Sequence, residues 1–278
     1  MGYKTPKVKW VVQRNLINEG ELMNLLGILE RHKIPYEVIN IIPFERALPK
    51  TTSHYGPVIA YGSTTLVKSV PPSWTWYDED TFKPSYWGEA YRAYYLNNDM
   101  MVMPLVEAWD YVKRLKDQRF FVRPDSDLKL FSGDVFMRGD FKEWYDRTTK
   151  LIKTGTYVNL KLNTDVCISS YKNLITEWRF FVVGETVVAF SQYRKNGKLN
   201  KSRVFDPKAY ELARLLAKNG RWFSLAPGYV VDIALTDEGD YKIIEFNNFN
   251  SSGFYLCNLE PIVLEANIAA KIQWENGD

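Results

Sequence analysis

Apolar and polar positions in the first hundred residues follow two alternating patterns. Between residues 19 and 32 the leucines recur three or four positions apart, which predicts an amphipathic helix. Short apolar runs bounded by Pro or Gly predict buried strands at Val8–Val12, Tyr36–Ile42 and Val58–Tyr61. Because strands and helices alternate, residues 1–115 are predicted to form a small α/β lobe with a parallel sheet.

A second unit begins near residue 116, where the apolar strands come closer together. Its predicted strands are Phe120–Pro124, Phe131–Met137, Cys167–Tyr171, Glu177–Val183 and Thr186–Tyr193, the last two forming a hairpin. Helices are predicted over about 140–153 and 207–219. Paired strands with separate helices are typical of an α+β unit.

The segment 71–98 interrupts both patterns with a dense set of aromatic residues. They are Trp74, Trp76, Tyr77, Tyr86, Trp87, Tyr91, Tyr94 and Tyr95. Such a cluster either packs between two lobes or lines a ligand groove, and the sequence leaves both open. A carbohydrate-binding or nucleic-acid-binding protein would also use such a cluster, but that interpretation leaves the acidic hairpin described below unexplained.

Composition narrows the class of protein. Of the 278 residues 46% are apolar and 25% charged, as in ordinary globular proteins. The net charge of +3 is spread along the chain, which argues against a nucleic-acid partner. No apolar run is long enough to cross a membrane, and the N-terminal residues do not resemble a signal peptide. Cys167 and Cys257 are predicted to be buried free thiols of a cytoplasmic protein.

Several catalytic devices are missing from the sequence. His32 and His54 are the only histidines, which leaves little material for a catalytic triad or a zinc site. No phosphate-binding loop, dinucleotide fingerprint or nucleophile elbow is present. A bound nucleotide therefore needs another kind of site.

The most informative stretch is the hairpin of 229–235 and 241–247. If its loop holds an even number of residues, so that Asp237 faces Asp240, then Asp232 lies directly opposite Glu245; an odd loop would separate the two acids. Asn247 then projects from the same face as Glu245. Two carboxylates and an amide oxygen are hard ligands suited to Mg²⁺, although a solvent-facing hairpin with incidental acids is the alternative. Because the two carboxylates would repel each other, we expect that converting either to its amide raises the melting temperature without nucleotide.

This hairpin resembles the closing motif of the ATP-grasp ligases, which is an Asp on one strand and Glu-x-Asn on the next. The preceding run from Glu177 to Arg194 looks like the hairpin before it in that family. The resemblance covers about residues 116–265, and is strongest to a phage-associated clade defined by an arginine and two lysines. It implies an α+β ATP-grasp fold after the small α/β lobe, with a central lobe over 116–165 and a C-terminal lobe over 166–278 that together clasp ATP.

The resemblance also implies roles for individual residues. Arg123 and Lys129 would contact the phosphates, although the loop around Lys129 has fewer glycines than in most relatives and a solvated lysine is the alternative. The strand Ile168, Ser169 and Ser170 would present its backbone to adenine, and Glu177 would take the ribose hydroxyls. The metal ligands would be Asp232, Glu245 and Asn247. Arg179 and Arg194 would stabilise the reacting centre, although an ordinary ion pair between Glu177 and Arg179 explains those two equally well.

The activity that the resemblance implies is an ATP-dependent, Mg²⁺-dependent carboxylate–amine ligation through an acyl phosphate. An amino acid or peptide would be joined to a carboxylate acceptor, in the cytoplasm of a cell or of a phage-infected host. The alternative is a nucleotide-binding module of the same ancestry without ligase activity. The sequence does not indicate the substrates or the oligomeric state.

Overall fold

The structure is a computed structural model that describes residues 6–15, 19–42, 48–128, 130–156, 159–219 and 225–277. Three β-sheets organise these residues.

The first sheet belongs to the N-terminal lobe. Its elements are β1 (Lys9–Gln13), α1 (Glu19–Arg31), β2 (Tyr36–Ile39), β3 (Val58–Tyr61) and α2 (Thr64–Ser69). The strand order is β2-β1-β3 and both pairings are parallel, as predicted. All five residues of β1 are buried, which explains its continuous apolar run. The apolar face of α1 buries Leu22, Leu25 and Leu29, at the spacing that predicted the helix.

The aromatic segment packs between lobes. It contains α3 (Pro84–Ala90), from which the fully buried Trp87 contacts Tyr95 at 4.5 Å and Phe246 at 5.1 Å between ring centroids. Phe246 belongs to the Glu-x-Asn strand. The aromatic residues at this end of the segment therefore form a support for the acidic hairpin.

The second sheet is central in the chain. Its elements are β4 (Met101–Pro104), α4 (Leu105–Val112), β5 (Arg119–Pro124), β6 (Asp134–Met137), α5 (Arg138–Lys153) and β7 (Asp165–Ser170). The strand order is β4-β7-β5-β6, with antiparallel pairing throughout. The predicted boundaries at 115/116 and 165/166 cut across this sheet, because β4 precedes the first and nearly all of β7 follows the second.

The third sheet forms the C-terminal lobe. Its elements are β8 (Leu174–Val183), β9 (Thr186–Lys195), β10 (Lys198–Ser202), α6 (Pro207–Lys218), β11 (Gly228–Thr236), β12 (Tyr241–Asn248) and α7 (Leu259–Asn276). The strand order is β10-β9-β8-β11-β12, again antiparallel. Trp178, Phe180 and Val182 of β8 pack with α6, whereas Phe181 and Val183 face α7. Glu177 and Arg179 project from the same side as Phe181, beyond the part that α7 covers.

Both cysteines are buried free thiols, as predicted. Among the described helices, none combines the length and the apolar character that a bilayer crossing requires.

Candidate active site

A cleft of about 760 Å³ separates the central sheet from the C-terminal sheet. One wall carries Arg123 and the loop after β5, and the other carries side chains of β8, β9, β11 and β12. Pockets of this size hold ligands with tens of atoms. Most of the charged residues singled out in the sequence line this cleft.

Asp232 lies at the bottom of the cleft and is paired with Arg179. The two are directly opposite each other on β11 and β8. Arg179 donates from Nε to Oδ1 at 2.9 Å and from Nη2 to Oδ2 at 2.7 Å, and its Nη1 donates to the Gly253 carbonyl at 3.1 Å. Burial opposes the charge on Arg179, but Asp232 holds the pKa of the guanidinium above its usual value. The ion pair that the sequence suggested between Arg179 and Glu177 is not the one formed.

Glu245 and Asn247 continue this row of polar groups. Asn247 donates from Nδ2 to Asp232 Oδ2 at 3.3 Å and to Glu245 Oε1 at 3.2 Å, so one polar atom lies between the two carboxylates. On its other side Glu245 accepts an ion pair from Arg123 Nη1 at 3.0 Å. Arg123 belongs to the central sheet, so this pair joins the two walls of the cleft.

The register that brings the two acids together is the predicted one, but it arises in another way. Asp232 pairs with Glu245, as predicted. Beyond them, however, Leu235 pairs with Tyr241, and the Thr236 amide donates to the Asp240 carbonyl at 2.9 Å. The loop is therefore odd, and the expected pairing of Asp237 with Asp240 is wrong. A β-bulge between the turn and the acids restores the register, because one extra residue on β12 offsets the extra residue in the loop.

Glu177 and Arg194 form a looser group beside Asp232. They pair across β8 and β9, and Arg194 Nε lies 3.9 Å from Glu177 Oε1. Burial raises the pKa of Glu177, while its hydrogen bond with Tyr193 acts in the opposite direction. The Arg194 side chain is 48% exposed, so it can swing to meet a ligand in the cleft.

A second contact between the walls was not predicted. Asp127, in the loop after β5, accepts hydrogen bonds from the backbone N of Asn248 at 3.0 Å and from its Nδ2 at 2.5 Å. Burial raises the pKa of Asp127 to about 6, and the nearby Glu245 adds to this effect. The loop after β5 is thus docked on the end of the Glu-x-Asn strand.

The predicted adenine strand is only partly at the cleft. Ile168 and Ser169 lie inside β7, which is paired with β4 on one side and with β5 on the other, so their backbone groups are engaged in the sheet. The Ser170 amide donates to Asp99 Oδ2 at 3.0 Å, and Ser170 is the one of the three that lines the cleft. The backbone that follows, at Tyr171 and Lys172, is better placed to meet a base. Lys129 lies outside the described residues.

The residues at the bottom of the cleft fit a divalent cation. Asp232, Glu245 and Asn247 offer oxygen ligands on one face, and an atom of Asn247 already occupies the space between the two carboxylates. Rotation of that amide turns Oδ1 toward the same space. One or two carboxylates beside phosphate oxygens is the set that Mg²⁺ takes in nucleotide sites. No cluster of three or more His, Cys, Asp and Glu suited to a metal occurs within the described residues, so any ion here rests on two acids and the amide.

The sequence matches a family model over residues 65–268, and the model describes an ATP-grasp domain, family 3 of the clade defined by an arginine and two lysines. The chain belongs to this ATP-grasp family. The match begins well before residue 116, so it includes the aromatic segment and β4. A search of curated proteins finds no match.

Solved structures of ATP-grasp enzymes share the fold. The D-cycloserine synthetase DcsG superposes with a TM-score of 0.62 at 12% identity, covering 95% of this chain and 99% of the other. The D-alanine–D-alanine ligase from Bacillus anthracis gives 0.56 at 11% identity, covering 98% and 99%. The ATP-grasp ligase PsnB, complexed with precursor peptide PsnA2 and AMPPNP, gives the same TM-score, identity and coverage. At these identities the likeness shows the fold alone.

Three cleft residues of this ATP-grasp protein escaped the sequence analysis. Asp127 stands in a polar loop that had been noted, and its position after a strand ending in Arg123 is the signal that could have found it. Tyr193 and Tyr255 stack face to face at 5.0 Å, with the Arg179 guanidinium 4.9 Å from the Tyr255 ring. Tyr255 has φ +50°, a left-handed conformation that nothing in the local sequence predicts.

Proposed function

We propose that this protein is an ATP-dependent carboxylate–amine ligase acting through an acyl phosphate. The observation that carries the proposal is the pairing of Asp232 with Glu245 at the bottom of a cleft, with Asn247 between them. Membership of an ATP-grasp family and a fold shared with enzymes named as ligases support the same class of reaction. The two substrates are a small-molecule or peptide carboxylate and an amine.

Each side of the cleft has a part in nucleotide binding. Asp232, Glu245 and Asn247 would hold Mg²⁺, and the ion when bound neutralises negative charge on the phosphates of ATP. Arg123 is already at the cleft on a buried stem, so it exchanges Glu245 for a phosphate oxygen with little movement. Glu177 accepts hydrogen bonds from the ribose hydroxyls.

The reaction then needs no nucleophile from the protein. An oxygen of the substrate carboxylate attacks the γ-phosphorus of ATP, the bond to the bridging oxygen of ADP breaks, and an acyl phosphate forms. The amine attacks the acyl carbon, phosphate leaves and the nitrogen gives up a proton, so the products are amide, ADP, phosphate and H⁺.

The two arginines have different tasks in this scheme. Arg194 is half exposed and loosely held, which suits it to the oxyanion of the tetrahedral step. Arg179 fixes Asp232 and keeps fewer donors for the reacting atoms.

The test is a panel of carboxylates and amines mixed with Mg-ATP, followed by ADP and phosphate release, with hydroxylamine added to trap the acyl phosphate as a hydroxamate. We expect hydroxamate only with ATP, Mg²⁺ and a carboxylate together. Glu245→Gln should abolish the signal, whereas Glu265→Gln, an exposed site on α7, should leave it unchanged. If the protein binds Mg-ATP but no substrate accelerates ADP formation, it is a nucleotide-binding module instead.

A further inference from the structure

The hairpin β9–β10 concentrates positive charge beside the cleft. Between Thr186 and Phe205 the chain has five Lys and Arg residues and no Asp or Glu, although the whole protein has a net charge of only +3. All five are exposed, and they are Arg194, Lys195, Lys198, Lys201 and Arg203. Within the described part of the chain, Arg194 is the one with a recorded carboxylate partner, at 3.9 Å. Such a field attracts anions toward the cleft.

The hairpin is connected to the reactive end of the cleft by an aromatic platform. Tyr193 and Tyr255 stack with an interplanar angle of 6°, and both line the cleft. Lys201 Nζ lies 5.5 Å above the Tyr255 ring, and Arg203 Nε donates to the Leu256 carbonyl at 3.0 Å. The basic hairpin and the segment around Tyr255 therefore form one continuous wall that ends beside Asp232.

The size of this surface indicates a polymer. From Arg194 to the tip of the hairpin and back to Lys201 the cations extend over about 15 Å, at roughly 3.3 Å per strand residue. A single amino acid covers only a small part of that length. Leu199, 68% exposed, lies among the cations and offers apolar contact, which a peptide uses more readily than a small polyanion.

The edge of β10 is poorly suited to pairing with another strand. Its register with β9 shifts between Leu199 and Ser202, and lysines occupy its ends. A bulge and lysines on an outer strand hinder the addition of a further strand. Recognition would therefore use side chains on the cleft side of the hairpin rather than backbone hydrogen bonds.

We propose that one substrate is an acidic peptide segment, whose carboxylates contact the cations of β9–β10 while one carboxyl group reaches the cleft past Tyr193 and Tyr255. This inference names the substrate class for the proposed ligase and rests on that function for the reaction, but the binding step can be tested without it.

The experiment measures binding of dye-labelled peptides of about six residues, the usual length of a strand, by fluorescence anisotropy without nucleotide. One peptide alternates Glu and Ala, a second alternates Lys and Ala, and an oligothymidylate of similar length is the third probe. We expect the Glu peptide to bind, with affinity that falls as salt increases, and the Lys peptide to bind far more weakly.

Charge reversal locates the surface. Lys198→Glu combined with Lys201→Glu should weaken the Glu peptide by about tenfold, since each exposed pair contributes up to about 1 kcal/mol. Arg147→Glu with Lys150→Glu, on exposed positions of α5 away from the cleft, is the matched control and should have little effect. Unchanged melting temperatures verify that both variants are folded.

The proposal is overturned if the Glu peptide binds no better than the Lys peptide, if the control variant loses as much affinity, or if oligothymidylate binds more tightly than the peptide. If the peptide binds as expected but no acidic peptide stimulates ADP formation, the surface is a docking site and the ligase function fails on its own.

Discussion

Asp232→Asn should lower the melting temperature in the absence of nucleotide, which is the opposite of what repulsion between two facing carboxylates predicts. Asp232 is 1% exposed and makes two hydrogen bonds with Arg179, which is 7% exposed. The substitution leaves a buried guanidinium without a counter-charge. Breaking one side of such a pair costs about 3–5 kcal/mol. For a chain of this size that corresponds to a decrease of roughly 6–15 °C.

Thermal scanning and urea unfolding without nucleotide measure this effect. Glu245→Gln is the comparison, because the Glu245 side chain is 27% exposed and meets Arg123 through one contact, so the cost should be nearer 1–2 kcal/mol. The double variant Arg179→Gln with Asp232→Asn should be more stable than the sum of the single losses predicts, by at least about 1 kcal/mol. A melting temperature at or above that of the wild type for Asp232→Asn would refute this reasoning, since repulsion from Glu245 would then outweigh the attraction of Arg179.

Three further predictions concern the other cleft residues. Arg194→Ala should leave the melting temperature and Mg-ATP affinity nearly unchanged but slow single-turnover ADP formation in the presence of substrates by about 10–100-fold, as expected for loss of a charged hydrogen bond worth about 1.5–3 kcal/mol; equal losses in binding and rate would assign this residue to nucleotide binding instead. Arg123→Lys should weaken equilibrium Mg-ATP binding modestly and Arg123→Ala much more, and equal affinities for all three would remove the phosphate contact. Because the folded-state pKa of Asp127 is raised to about 6, its stabilising effect is greatest at low pH and is lost as pH rises through 6; the wild type should lose up to about 3 kcal/mol between pH 4 and pH 7 relative to Asp127→Asn in urea unfolding, and parallel pH profiles would contradict this.

Local patterns in the sequence determine much of the site. The apolar runs of β11 and β12 are interrupted only where a polar side chain faces the cleft, so Asp232, Glu245 and Asn247 could be identified from alternation alone. The family resemblance added the nucleotide. Their roles as ligands stay predictions.

Partners across non-local strand pairs could not be predicted. The contact of Asp232 with Arg179 depends on the register of β8 against β11, two strands with a helix and a third strand pair between them in sequence. For the same reason the contact of Glu245 with Arg123 was missed, since it joins two different sheets. A charged residue in the sequence shows that a partner is needed but not which of several distant ones supplies it.

Sheet membership and the bulge failed for a different reason. β4 has only four residues, two of them exposed, and its short apolar run carries no information about which sheet it joins. The extra residue in β12 has no glycine or proline to mark it, so the odd loop and the bulge that offsets it left no signal in the sequence.

The docking of Asp127 on Asn248 makes one backbone amide a reporter of the cleft. That amide donates across the cleft to the Asp127 carboxylate, whereas its neighbours in β12 donate within their own sheet. When the walls separate, this hydrogen bond breaks while the strand stays intact. The hydrogen-exchange rate of the Asn248 amide therefore measures how often the cleft opens, and its slowing on addition of a ligand would report closure without any label.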